Sequence, residues 1–349
     1  MRQIARFSAR RPWPILVLWA LVLAAGVAFA GGAHDHLRGT DLRIPGTAAD
    51  RAADLSERQF GSTISIAVLL EGPPKVLERR GPEIVRRLQR IDGVTVLSPW
   101  GLGGARTLRE PPGQALLTLQ VAKPFQQIAD QTTPAVERTL RDAVRAPLRS
   151  EMTGLAPLVR GINDATVDAV GRGERIAVPI LLVLLLLIFR SPIAALVPAV
   201  CGVVVTALGT AVMGLLGRWI ALDAIALNIV TMIGLALGVD YSLLIVSRFR
   251  EELAAGAEPG EALERALARA GRTVLFAGTA LVVGMLGALA VAPGGLLVST
   301  TIGVIVATVL AVLAALFLIP AGLAVLGTNV NRWQFAPARA SRGAGLSLR

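Results

Sequence analysis

The chain has 349 residues, 54% of them apolar and 4% aromatic, with a formal charge of +11 and a mean hydropathy of +0.63. This composition excludes an ordinary soluble domain, and the low aromatic content, with no Cys/His zinc spacing and no Gly-Lys-Ser/Thr phosphate loop, argues against a nucleic-acid partner. Cys201 is the single cysteine and lies in an apolar run, so no intrachain disulfide or thiolate cluster can form.

Apolar runs predict six transmembrane segments, at 13–32, 176–189, 193–217, 224–247, 274–292 and 296–326, most of them near the ~20 residues that a bilayer core requires. The first follows Arg10-Arg11 and contains Ala28-Phe29-Ala30, which imitates a signal peptide with its cleavage site. Its apolar run exceeds the usual ~7–15-residue signal core, so an uncleaved helix is the preferred reading.

Between the first two segments, 33–173 reads as a small α/β domain. Strand-like runs occupy 63–70, 93–97 and 115–121, and 150–153 supplies a possible fourth. Helical spacing covers 75–91 through Val76, Leu77, Ile84, Val85, Leu88 and Ile91, and a second helix is predicted over 133–148, opened by Thr133-Pro134 with Glu137 behind them. The order β-α-β-β-α-β is that of the split βαβ or ferredoxin-like arrangement. His34 and His36 open the domain without a convergent third ligand, so they read as a solvated loop and no metal is expected. No nucleophile stands with a base, so no hydrolytic site and no enzyme activity are expected.

Arginine placement sets the orientation. Arg2, Arg6, Arg10 and Arg11 precede the first segment, Arg190 lies between the second and third, and Arg248, Arg250, Arg265, Arg269 and Arg272 lie between the fourth and fifth. The opposite short loops carry only Arg218 with Asp223, and the uncharged Pro293-Gly294-Gly295. The positive-inside rule then places both termini in the cytoplasm and 33–173 outside. The resulting plan is a multi-pass α-helical membrane protein: a cytoplasmic start at 1–12, a first span at 13–32, an extracytoplasmic α/β ferredoxin-like domain at 33–173, a five-helix bundle at 174–326 and a cytoplasmic tail at 327–349. Within the fourth-to-fifth loop, 259–270 is an amphipathic helix with Glu261 and Arg265 paired at i,i+4, predicted to lie along the membrane surface.

The fourth segment carries the candidate site. Asp240 is the only acid inside a predicted span, and an ionisable group at membrane depth is costly enough to mark an ion or proton site. At 100° per residue, Thr231, Gly234, Gly238 and Ser242 form one small, polar stripe, with Gly234 and Gly238 in the small-xxx-small spacing that favours close helix packing. Asp240 points almost opposite, with Ile229, Ile233, Ala236 and Leu244.

The run Gly234-Leu235-Ala236-Leu237-Gly238-Val239-Asp240-Tyr241-Ser242, continued to Arg248-Phe249-Arg250-Glu251-Glu252, resembles the fourth transmembrane helix of the mycobacterial membrane protein large (MMPL) family of the resistance-nodulation-division (RND) superfamily. The likeness extends to Arg11-Pro12-Trp13 opening the first helix and Gly271-Arg272-Thr273-Val274 opening the fifth. It implies that Asp240 and Tyr241 carry protons that drive export of lipids or other hydrophobic molecules across the cell membrane, and that the outer domain is of porter type. A serine is expected just after the Val-x-Phe of helix five; here Ala277 follows Phe276, and Thr279 is the nearest hydroxyl for a relay. The resemblance covers the amino-terminal one of the two homologous halves that such transporters usually have, so it implies pairing with a second half or a second copy. No cofactor is implied. Two other readings stay open: a non-transporting scaffold or lipid sensor, because the helices from Ile176 onward also resemble the sterol-sensing arrangement, and a half-sized accessory of protein export.

Overall fold

The computed structural model describes residues 2–30, 46–60, 63–101, 112–123, 125–220, 222–223, 225–292 and 294–333. His34 and His36 lie outside the described residues. Two compact units divide the chain: an α/β unit of Arg38–Gly171 with Pro293–Gly295, and a helical unit formed by the remainder.

In chain order, α1 (Arg2–Arg10) and α2 (Pro12–Ala30) belong to the helical unit, and the α/β unit follows with α3 (Ala48–Phe60), β1 (Thr63–Glu71), α4 (Pro74–Leu88), β2 (Val94–Leu97) and β3 (Gln114–Ala122). After these come α5 (Phe125–Gln127), α6 (Thr133–Ala143) and β4 (Arg149–Gly154). The four strands form one sheet in the order β2-β3-β1-β4, every neighbouring pair antiparallel. Alternation along each strand sends Ile66, Val68 and Leu70 of β1 to the same face as Leu119, Leu117 and Ala115 of β3, their register partners. That face is closed by Leu77, Ile84, Val85 and Leu88 of α4 with Val136 and Leu140 of α6, which makes one dry core. The 3.6-residue spacing of those helical positions is what allows a single face of each helix to meet the sheet.

The second helix of this unit differs from expectation at both ends. It starts at Phe125 and passes through a π turn at Ile128–Thr132 before α6, and Thr132, at the N-cap of α6, makes no side-chain cap bond. Pro134 has no N–H to donate backwards, so the hydrogen-bond ladder widens just upstream of it. At its other end α6 stops at Ala143 rather than 148, since Pro147 disfavours helical geometry at the residue before it.

Helix α7 (Leu155–Phe189) starts in the α/β unit and passes into the helical unit after Gly171, and the helical unit is completed by α8 (Pro192–Leu216), α9 (Ile225–Ala254), α10 (Pro259–Ala266), α11 (Arg272–Val291), α12 (Gly295–Leu313) and α13 (Ile319–Leu326). Helix α7 begins directly after β4, well before the apolar run at 176 that marked it in the sequence. Four of the described helical stretches are long and apolar enough to cross a membrane: Pro192–Leu216, Ile225–Ala254, Pro259–Val291 and Gly295–Asn331. Pro12–Ala28 is a shorter apolar helix. The protein is a multi-pass helical membrane protein.

Helix α10 is packed against protein rather than simply laid along a membrane surface. Its apolar face, Ala262, Leu263 and Ala266, is buried in the same cluster as Ile245, Val246 and Phe249 of α9. The reason is the length of α9, which continues past 247 to Ala254 and offers a wall for that face. Its polar face is tied down as well: Arg265 meets Glu261 at 3.0 Å, Arg265 and Arg269 reach Glu252 of α9 at 3.5 and 3.2 Å, and Arg6 of α1 meets Glu264 at 2.8 Å. The arginines of these pairs are exposed while Glu252 and Glu264 are half-buried, so solvent screening keeps the contribution of each pair small.

A carboxylate-centred site on helix α9

Helix α9 is held at both ends. At its start Asp223 accepts a hydrogen bond from the Ile225 N–H on Oδ1 at 2.9 Å, a capping interaction, while the Asp223 N–H donates to Ser299 Oγ of α12 at 2.9 Å. At its far end Arg250 donates from Nη1 to the Phe189 carbonyl of α7 at 2.7 Å and from Nε to Asn331 Oδ1 at 2.6 Å, with its guanidinium 5.5 Å from the centre of the Phe189 ring. Ser191 Oγ lies 2.9 Å from the Val330 carbonyl and 3.1 Å from that of Arg332, and accepts from the Ala194 N–H. The end of α7, the start of α8, the end of α9 and the segment after α13 are therefore stitched into one knot. Arg250→Ala is expected to lower stability by about 1.5–3 kcal/mol through its charged hydrogen bonds, and Arg250→Lys to recover part of it, since an ammonium cannot reproduce the planar fork. Thermal unfolding in detergent measures both, and equal midpoints for wild type and Arg250→Ala would refute the assignment.

The middle of α9 presents two different faces. Gly234, Gly238 and Ser242 are buried and Thr231 is half-buried. A Cβ on Gly238 would stand 2.9 Å from the Gly202 Cα of α8 and 3.3 Å from the Cys201 carbonyl, so the two backbones meet there with no side chain between them. Around Gly234 the approach is looser, 3.4 Å to Val205 Cγ1 and 3.5 Å to Thr206 Cα. Thr206 Oγ1 donates to the Thr231 carbonyl at 3.3 Å, and Ser242 Oγ turns back on its own helix, 2.6 Å from the Gly238 carbonyl and 2.8 Å from that of Val239. Polar atoms on this face are thus satisfied within α8 and α9.

The opposite face is more open. Asp240 is exposed, in line with Ala236 and Leu244 (41% exposed), whereas Ile229 and Ile233, expected on the same face, are half-buried. Among the described residues it forms no hydrogen bond and no ion pair. Tyr241, one residue and 100° further round, is 7% exposed and belongs to the interior cluster with Cys201, Val205 and Ile245. Adjacent in sequence, the two candidate relay residues leave the helix on different sides. Thr279 is exposed on α11, whose Phe276 is 78% exposed and whose buried residues are Val274 and Gly278.

No group of three or more His, Cys, Asp or Glu side chains among the described residues could hold a metal ion. The sequence missed Asp223 as a cap and Arg250 as a clamp. A carboxylate two residues before an apolar helix is a legible capping signal, whereas Arg250 is indistinguishable in sequence from the topological arginines around it.

The sequence model of the MMPL family fits residues 86–345, a range that includes all of helix α9. The chain belongs to the MMPL family. A membrane protein of Streptomyces coelicolor is 30% identical over 94% of this chain and 47% of its own length. The trehalose monomycolate exporter MmpL3 of Mycolicibacterium smegmatis is 34% identical over 52% of this chain and 18% of the exporter. MmpL11 of the same organism, a mycolic acid-containing lipids exporter, is 25% identical over 94% of this chain and 35% of its own length. The chain spans about half the length, or less, of these MMPL relatives.

Proposed function

We propose that this chain is a proton-motive-force-driven exporter of lipid or other hydrophobic molecules, or one half of such an exporter, with Asp240 as its titrating group. The observation that carries the reading is the outward exposure of Asp240 on a spanning helix whose other face is sealed against α8. Arg248 lies eight residues further on, about 12 Å along the axis, which puts Asp240 near the middle of a ~30 Å core in the proposed topology. A carboxyl group there is neutral when surrounded by hydrocarbon and ionised when water or a donor reaches it, so alternating exposure makes it a proton carrier. Tyr241, on the inner side of the same turn, and Thr279 of α11 are the hydroxyls proposed to assist. The lipid-exporting relatives support the substrate class.

The proposal extends to architecture: six spans with α2 and the apolar end of α7 as the first two, both termini cytoplasmic, and the α/β unit as a ferredoxin-like porter-type domain outside, a reading supported by its strand order and antiparallel pairing. The test is lipid extrusion by the purified chain in vesicles, driven by an imposed pH gradient. Extrusion that ignores the gradient would reject proton coupling.

An acid turned towards lipid is unfavourable by several kcal/mol on some scales, so the Asp240 face is proposed to be covered by a second half or a second copy. Cysteines placed at Ile233 or Leu244 are expected to crosslink across that contact under mild oxidation, whereas one at Thr231 on the opposite stripe, or at Ser242, fully buried against α8, is not. Crosslinking from Ser242 and none from Leu244 would reverse the assignment of faces.

A further inference from the structure

The α/β unit carries a charge asymmetry that lipid export does not use. Across 33–173 the chain has 19 Lys and Arg against 16 Asp and Glu, close to balance. The stretches 74–90 and 133–149, which hold α4 and α6, contain 10 of those cations and 4 of those anions, so the rest of the region is net acidic. On α4, Lys75, Arg79 and Arg86 fall within about 40° of one another on the helical wheel and Arg90 continues the line in the turn beyond. All four are exposed. On α6 and the turn after it, Arg138, Arg141 and Arg145 recur at i, i+3 and i+7, exposed as well. The helices bury their apolar faces in the sheet, so this layer presents cations outward by construction.

What the face lacks narrows the partner. No large hydrophobic side chain is exposed on α4 or α6, so there is no wedge to enter a bilayer. Neither stretch contains an aromatic residue, so no base or sugar ring can stack. The hollow between the helices, about 300 Å³, is lined by Arg80, Arg87 and Arg145 but also by Glu83 and Asp142, with Arg87 already held by Glu83 at 2.8 Å, so it is no pocket for a compact anion. Lys75, Arg79, Arg86 and Arg90 form no ion pair among the described residues, and they lie instead along a line that measures about 16 Å from Lys75 to Arg86, a length suited to a chain of charges.

We propose that the helical layer of the α/β unit is a docking surface for a linear polyanion with a phosphate or phosphodiester backbone, read by charge spacing alone. Its position outside the cytoplasm rests on the proposed topology; its chemistry does not. Docking there would tether the α/β unit to an anionic polymer.

The test uses the full chain in a neutral detergent and fluorescein-labelled long-chain polyphosphate as the probe, with binding followed by anisotropy between 50 and 300 mM salt, concentrations chosen on the order of those that reveal counterion release. Binding is expected to weaken steeply with salt, and the triple variant Arg79→Gln/Arg86→Gln/Arg90→Gln to bind about tenfold or more weakly with a salt slope shallower by about 2. A control variant, Arg11→Gln/Arg218→Gln/Arg272→Gln, removes the same charge from the helical unit and is expected to bind like wild type. Equal weakening in both variants, no binding by wild type, or displacement of polyphosphate by phosphatidylglycerol vesicles at matched phosphate but not by unlabelled polyphosphate would each overturn the proposal. The readout is binding rather than flux, so a failure of the exporter reading and a failure of this one are told apart.

Discussion

Asp240→Asn is expected to abolish gradient-driven lipid extrusion while leaving the protein folded and in the membrane. The amide has the shape of the carboxyl group but no titratable proton, so a carrier that works by alternate protonation stops. The expected loss is about 10²-fold or more, by analogy with what positioned proton-transfer groups contribute in enzymes. Folding should be spared, because the exposed side chain makes no hydrogen bond or ion pair among the described residues and the substitution removes a charge from an apolar setting. Asp240→Glu, which keeps the proton but moves it by one methylene, should retain part of the flux. Full gradient-dependent extrusion by Asp240→Asn in vesicles would refute the role; unchanged cellular function of a non-transporting chain would favour the scaffold reading.

Gly238→Ala should be among the most damaging single-methyl changes in the helical unit. The added Cβ meets backbone, the Gly202 Cα at 2.9 Å and the Cys201 carbonyl at 3.3 Å, and backbone cannot rotate out of the way as a side-chain tip can. Helices α8 and α9 must then separate along their seam, an overpacking penalty of about 1–3 kcal/mol, and Gly238→Val should do worse. Gly234→Ala is the matched comparison. Its Cβ would find 3.4–3.6 Å contacts, ordinary van der Waals distance, so that substitution should be near neutral. Thermal unfolding in detergent, together with the yield of monodisperse protein, measures both. Indistinguishable behaviour of the two alanines would show that the seam is not the tight contact described.

Much of the site was legible along the chain because its signals are local. A carboxylate in an apolar run needs no neighbour to be conspicuous, and the 3.6-residue period alone separates Gly234, Gly238 and Ser242 from Asp240, Ala236 and Leu244. The strand-like runs at 63–70 and 115–121 likewise marked β1 and β3, while their inward faces became visible only once the sheet had paired. The ends of helices were read less well: α6 stops at Ala143 and is preceded by a π turn, because a proline acts on residues before it. The start of α7 at Leu155 escaped the hydropathy reading, since its first part is too polar to look like a span.

Burial against distant segments was another matter. Arg250 read as one of several topological arginines; its partners, Phe189 and Asn331, lie 61 and 81 residues away, one of them through a backbone carbonyl that has no sequence signature. The amphipathic stripe of α10 was plain, yet a stripe states only that something apolar must cover it, and whether that is lipid or the extended end of α9 depended on where the helices came to rest. Tyr241 shows the same division within a single turn. Sequence placed it beside Asp240, and the packed cluster around Cys201 and Ile245 decided that it faces inward while the carboxylate does not. By itself the sequence determined the membrane class, the family resemblance, the carboxylate and the two faces of its helix, because composition and periodicity act between residues a few positions apart. Which face is covered, and by what, was decided by tertiary structure alone, because close packing between helices depends on the shapes of backbones that meet only after the chain has folded.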